Sequence, residues 1–176
     1  MDPGSLYTVR QGIEMMIRYS DNNSLNFLNH FISPVDYQTT FRDLKIPLTL
    51  NATEKNVMVN IESYSYFFRT LYNATYLNRE YSEKALELLT QTNYKNGLVA
   101  GIPADVPVAH KFGSATISEN GQTVNELHDC GIIYNPNHPY LLCIMTKSTQ
   151  TIPQFEHVLA GVSKIVYTGS QSVSIN

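Results

Sequence analysis

The 176-residue sequence predicts an α+β fold: a helical first half, then an antiparallel meander, then one closing helix. Two observations carry this. From Thr8 to about residue 97, apolar residues recur three and four apart between polar caps, the signature of amphipathic helices. From Val106 to Lys147 they form short runs bounded by turn signals, which is how strands read. Helices followed by strands, rather than alternating with them, point to segregated α+β layers.

Thr8 is the expected N-cap of a helix over 8–19, with Val9, Ile13, Met16 and Ile17 on one face. A short second helix carries Leu25, Leu28, Phe31 and Ile32. Ser33-Pro34-Val35-Asp36 has the form of a capping box with proline at the first helical position. Residues 45–60 lack periodicity and read as a surface loop. Helices follow over 62–72, with Phe67, Phe68 and Leu71 in one stripe, and over 82–90, with Ala85, Leu86, Leu88 and Leu89 inside. Strands are expected over 106–115, 127–134 and 140–147, with an Asn-Gly turn in Ser118–Gln122 and a second turn at Asn135-Pro-Asn-His-Pro139. Thr151 caps a last helix whose Phe155, Val158, Leu159, Val162, Ile165 and Val166 are expected to face a core. The organisation is a helical lobe over 1–97, a sheet with its helix over 98–167, and a polar, mobile tail over 168–176.

Composition narrows the function. The net charge of −3, without a run of Lys or Arg, argues on electrostatic grounds against nucleic acid as a partner. No apolar stretch reaches the roughly 18 residues of a membrane span, and no signal peptide is visible at the start. The five histidines show no metal-ligand spacing, so neither metal nor cofactor is expected. Asn51-Ala-Thr and Asn73-Ala-Thr match a glycosylation sequon by chance. Cys130 and Cys143 fall roughly opposite each other if the second turn joins an antiparallel pair. A cross-strand disulfide is then open to them, although two free buried thiols is the reading the sequence favours.

Two polar clusters stand out: Ser20-Asp21-Asn22 at a helix corner, and His110-Lys111-Phe112-Gly113-Ser114 on the first strand of the meander. Read alone, Asp21 or Asn22 is an ordinary N-cap, Lys111 is a solvated lysine blunting a strand edge, and His110 is a packed histidine on the opposite strand face. Together, and with Met16-Ile-Arg-Tyr before the first cluster, Leu98-Val-Ala-Gly-Ile-Pro-Ala104 before the second and His128-Asp-Cys-Gly-Ile-Ile-Tyr134 after it, they resemble the second and third signature motifs of the serine β-lactamase and penicillin-binding protein superfamily. The resemblance covers roughly residues 6–167 and is nearest to class A β-lactamase-related serine hydrolases.

That resemblance implies a β-lactamase/transpeptidase-like fold and acyl transfer on a β-lactam, a D-Ala-D-Ala-like peptide or an ester. It implies that Ser20 relays a proton to the leaving nitrogen, that Lys111 sets a positive charge beside it, and that Asn22 contacts substrate. Gly113 would let substrate lie along the strand, and the Ser114 amide would serve as one of two oxyanion donors. It also implies work in the periplasm or outside the cell. The sequence departs from the family pattern in three ways. No serine is followed three residues later by lysine, so the nucleophile motif is missing and the chain is not expected to acylate alone. Glu54 and Glu62 lie where the family carries its deacylating glutamate, without the surrounding pattern, and Phe112 stands where a threonine is usual. The fold is therefore expected to lack the family's N-terminal strands and nucleophile helix, leaving the edge of strand 140–147 free for self-association or for a complementing fragment. A non-catalytic module that binds cell-wall peptide or protein is the alternative.

Overall fold

The computed structural model describes residues 4–47, 49–50, 57–136 and 138–172, the side chains of 49, 50, 57 and 58 excepted. The expectations for Asn51, Glu54 and the tail beyond 172 lie outside the described residues. The chain forms two compact units, Met1–Asn93 and Tyr94–Asn176.

The first unit is helical. Helix α1 (Val9–Tyr19) starts at a reciprocal capping box, in which the Thr8 hydroxyl accepts from the Gln11 N–H and the Gln11 side chain accepts from the Thr8 N–H. Helix α2 (Asn22–Asn29) follows after a two-residue corner, and α3 (Pro34–Asp43) is capped by Ser33 with proline in its first turn. The segment expected to be a loop contains a short antiparallel pair instead, β1 (Thr49–Leu50) with β2 (Val57–Met58). Four apolar or β-branched residues suffice for such a ladder, and two-residue strands are too short to show a period. Helices α4 (Ile61–Tyr72) and α5 (Arg79–Thr90) are capped by Asn60 and Asn78, and α1 packs against both α2 and α5. Phe68, Leu86 and Leu89 are buried, as the stripes predicted.

The second unit opens with a 3₁₀ turn over Leu98–Gly101 and continues into β3 (Val108–Glu119), β4 (Gln122–Ile133) and β5 (Tyr140–Ser148), antiparallel in the order β3-β4-β5. The first hairpin is longer than expected because β3 and β4 run to the turn itself. Asn120 and Gly121 both take left-handed backbone, at φ 52° and 78°, and Glu119 pairs with Gln122. This is the two-residue geometry whose twist matches the strands it joins. Helix α6 (Ile152–Gln171) covers one face and continues four residues past its expected end at 167. Its buried side is narrower than expected: Phe155, Leu159 and Ser163 face inward, whereas Val158, Val162, Ile165 and Val166 are 49%, 37%, 74% and 36% exposed. Among the described residues no helix is long and apolar enough to cross a membrane.

The cysteines depart from the favoured expectation. Cys130 and Cys143 are register partners on β4 and β5 and are joined as a disulfide, with no free cysteine left. Antiparallel pairing puts their side chains on one face, and two β-carbons that close need only rotate their sulfurs together.

Candidate active site

Each polar cluster sits on a backbone shaped for it. At the end of α1, Ser20 adopts left-handed backbone, φ 52° and ψ 36°, and its N–H returns to the Met15 carbonyl. Such a helix end usually takes glycine, because a β-carbon is disfavoured there. A serine at this position is the kind of local strain that accompanies functional sites. Asp21 is the N-cap of α2: its carboxylate accepts from the Ser24 hydroxyl and from the backbone N–H groups of Ser24 (3.1 Å) and Asn23 (3.3 Å). These donors, led by the Ser24 hydroxyl, hold its pKa down at about 2. The cap is therefore at full strength above the ordinary carboxylate range and is lost as pH falls through about 2. Asn22, in the first turn of α2, is exposed. The corner is anchored from below, where the Asn93 N–H donates to the Arg18 carbonyl at 2.9 Å. Of the three polar residues in this turn, Asp21 is the one that caps α2.

The second cluster lies along β3, an edge strand of its sheet. Lys111 is half-buried, and its ammonium donates to the Phe112 carbonyl at 2.9 Å. Burial lowers the Lys111 pKa, and the Asp129 carboxylate opposes that shift. A Cβ built on Gly113 would meet nothing within 4 Å among the described residues, so the strand is open beside the lysine.

The ladder fixes where the Ser114 amide points. Cys130 and Cys143 lie 4.0 Å apart at Cα, the narrow spacing of a non-hydrogen-bonded row. Cys130 therefore turns its amide and carbonyl toward β3, where Lys111 is its partner. The alternate residues Phe112 and Ser114 then turn theirs to the outer edge. The Phe112 carbonyl, free to accept from the Lys111 ammonium, agrees with that parity.

Beneath the strand lies a buried hydrogen-bonded pair. His110 and Asp129 have no exposed surface, and His110 Nδ1 lies 2.9 Å from Asp129 Oδ1. Asp129 Oδ2 also accepts the Leu98 N–H at 3.0 Å, so one carboxylate ties the 3₁₀ turn and β3 to β4. Gly97 makes this possible, since a Cβ there would fall 2.2 Å from Asp129 Oδ2. His110 is a packing residue, as its strand parity predicted. Its partner is Asp129, and an aspartate at an inward position of a strand demands a donor. The Phe112 ring lies under the Lys111 ammonium, 4.9 Å from Nζ to the ring centroid. The same ring stacks on Tyr94, with ring centroids 3.9 Å apart at 21°, and packs on the Leu127–Phe155–Leu159 cluster beneath α6. The residue standing in place of threonine thus joins the core of its unit. Glu62 lies in the first turn of α4 and lines a cleft of about 310 Å³ together with Lys45 and Tyr66.

Ser20 and Asn22 thus stand together on the first unit, and Lys111, Gly113 and Ser114 on the second.

Comparison with known proteins gives these halves a common context. No curated protein sequence matches the chain. Among solved structures, a β-lactamase from Chitinophaga pinensis superimposes with a TM-score of 0.80 at 19% identity, over 93% of this chain and 66% of that one. A class A β-lactamase from Bacteroides cellulosilyticus gives 0.78 at 24% identity, over 93% and 64%. PBP-A gives 0.77 at 19%, over 98% and 65%, and a mutant of PBP-A has been solved as an acyl-enzyme complex with penicillin G. The chain therefore spans about two thirds of these proteins, and at such identities the likeness speaks for the fold. The sequence profile of the beta-lactamase enzyme family, in contrast, matches residues 1–169. With nearly the whole chain inside that match, on the expected α+β fold, the protein belongs to the beta-lactamase enzyme family.

Proposed function

We propose that the chain contributes the proton-relay and oxyanion parts of a serine acyl-transfer site acting on a β-lactam, a D-Ala-D-Ala-like peptide or a related ester. In this reading Ser20 passes a proton to the leaving nitrogen, Lys111 favours that transfer with its positive charge, and Asn22 and the open strand beside Gly113 hold the substrate. The Ser114 amide donates to the developing oxyanion. The supporting observation is the edge of β3, where a half-buried ammonium at Lys111, a glycine without a side chain at 113 and an outward amide at Ser114 lie within four residues. Outward backbone donors and a desolvated cation are the elements that electrostatic stabilisation of an acyl-transfer transition state needs.

The nucleophile has to come from outside these 176 residues, since none of the serines carries a lysine three positions on. The same fact favours a second reading, a non-catalytic module on the same fold that binds cell-wall peptide or protein. A fluorescent penicillin separates the two. Acyl transfer predicts covalent labelling when the chain is mixed with a Ser-x-x-Lys-bearing upstream fragment and none with the chain alone. It further predicts that Lys111→Ala lowers the labelling rate by about 10²–10³-fold. Absence of labelling in the mixture, with peptide binding retained, would leave only the binding module.

A further inference from the structure

We propose that Phe112 is the positioning residue of Lys111: its ring and its carbonyl together hold the ammonium at the outer edge of β3, as the cation of the proposed site. Successive residues of a strand point to opposite faces, and Lys111 and Phe112 pair with Cys130 and Asp129 in successive rows. A lysine meets the ring of the next residue only by turning round the rim of its sheet. Strand β3 lies at such a rim, with β4 as its only described neighbour. Lys111 makes that turn: its ammonium donates to the Phe112 carbonyl at 2.9 Å and lies 4.9 Å from the centroid of the Phe112 ring. The face of an aromatic ring carries partial negative charge, and a cation within about 6 Å of the centroid is attracted to it. The attraction grows where water is partly excluded, and both residues are half-buried.

The ring serves as a platform because it is itself fixed. Tyr94 stacks on it, and the Tyr94 hydroxyl donates to Glu156 Oε1 on α6 at 3.1 Å. Leu127, Phe155 and Leu159 form the cluster on which the ring packs. Holding a lysine side chain in one geometry costs conformational entropy, and two contacts to a single rigid residue offset that cost. Threonine at position 112 would keep the carbonyl and lose the ring. The departure from the family pattern is thus a replacement of function: the aromatic face favours the charged form of Lys111 and sets its place, next along the strand to Gly113 and the Ser114 amide. A charge placed beforehand needs no reorganisation when negative charge develops on substrate. Asp129, the register partner of Phe112, also favours the charged lysine, and it is tied to His110 and the Leu98 N–H whatever ring stands at 112.

The inference rests on Lys111 as the cation of the proposed site, but its test reads the lysine directly and so survives a failure of acyl transfer. The full chain is labelled with carbon-13 at the lysine Cε, and the Lys111 signal is assigned by Lys111→Arg. In the unaltered chain the Lys111 ε-methylene protons are expected upfield of those of the other lysines, shifted by the ring current, with a nuclear Overhauser effect to the Phe112 ring protons. Phe112→Leu is expected to abolish the upfield shift and Phe112→Tyr to keep it. Trifluorophenylalanine incorporated at position 112 keeps the shape of the ring and weakens its negative face. It is expected to lower the Lys111 titration midpoint by roughly 0.3–0.5 of a unit, about a two- to threefold change in ionisation, with the other lysines unmoved. A role confined to core packing predicts no such movement, so equal midpoints for the two rings would overturn the proposal. So would a Lys111 methylene without upfield shift in the unaltered chain, a measurement that needs no variant to fold.

Discussion

Ser20 concentrates the backbone strain of its corner in one residue. Its left-handed backbone is the conformation in which a β-carbon costs free energy and glycine does not. Ser20→Gly is therefore expected to leave the fold as stable or more stable, by up to about 1 kcal/mol, which raises the melting temperature by roughly 2–4 °C in a chain of this size. Ser20→Ala keeps the β-carbon while losing the hydroxyl and should melt below the glycine variant. Thermal denaturation that ranks alanine above glycine would mean the backbone at this corner is not held by function. At this scale the sequence was legible in part. Thr8, Ser33 and Thr151 act as the caps their positions promised. The cluster Ser20-Asp21-Asn22, whose cap could have been either of two residues, resolves to Asp21 because only its carboxylate reaches the Ser24 hydroxyl and both following amides.

Periodicity predicted which elements form, and less well what they touch. Along α6, six apolar residues were expected inside, but only Phe155 and Leu159 of those are buried. A helix packed on one face of three strands presents an arc narrower than its apolar stripe, and how much of the stripe is used is a matter of what lies alongside. Leu159→Ala is expected to cost roughly 2–5 kcal/mol by leaving a cavity against Leu127 and Phe155. Ile165→Ser, on the outer stripe, should change stability by less than about 0.5 kcal/mol. Urea denaturation compares the two, and a large loss at position 165 would show that something covers that stripe in solution. The short β1–β2 pair and the disulfide were hidden for a different reason. Both depend on register, which a single strand does not encode and a one-residue slip would undo.

Taken as a whole, the molecule carries more apolar surface than its own elements cover. Leu6, Val9 and Ile13 are exposed on the first unit, together with Phe31, Ile32 and Val35, and the second adds the α6 stripe beside a sheet that ends at β5. Exposed apolar side chains and a strand at the edge of the described sheet are places where association is expected. Sedimentation is expected to show the chain associating at concentrations on the order of tens of micromolar. A monomer at every concentration that binds no hydrophobic dye would contradict that expectation. Sequence alone was enough for the class of fold, the order of its elements, their caps, and the two motifs with the family they resemble, because spacing, capping and turn chemistry are local properties written in consecutive residues. Tertiary structure decided the disulfide, the His110–Asp129 pair, the burial of Phe112 against Tyr94, the outward Ser114 amide and the bare flank of α6. Each of those depends on which residue of one strand or helix meets which residue of another, and that is settled by register and packing between distant segments.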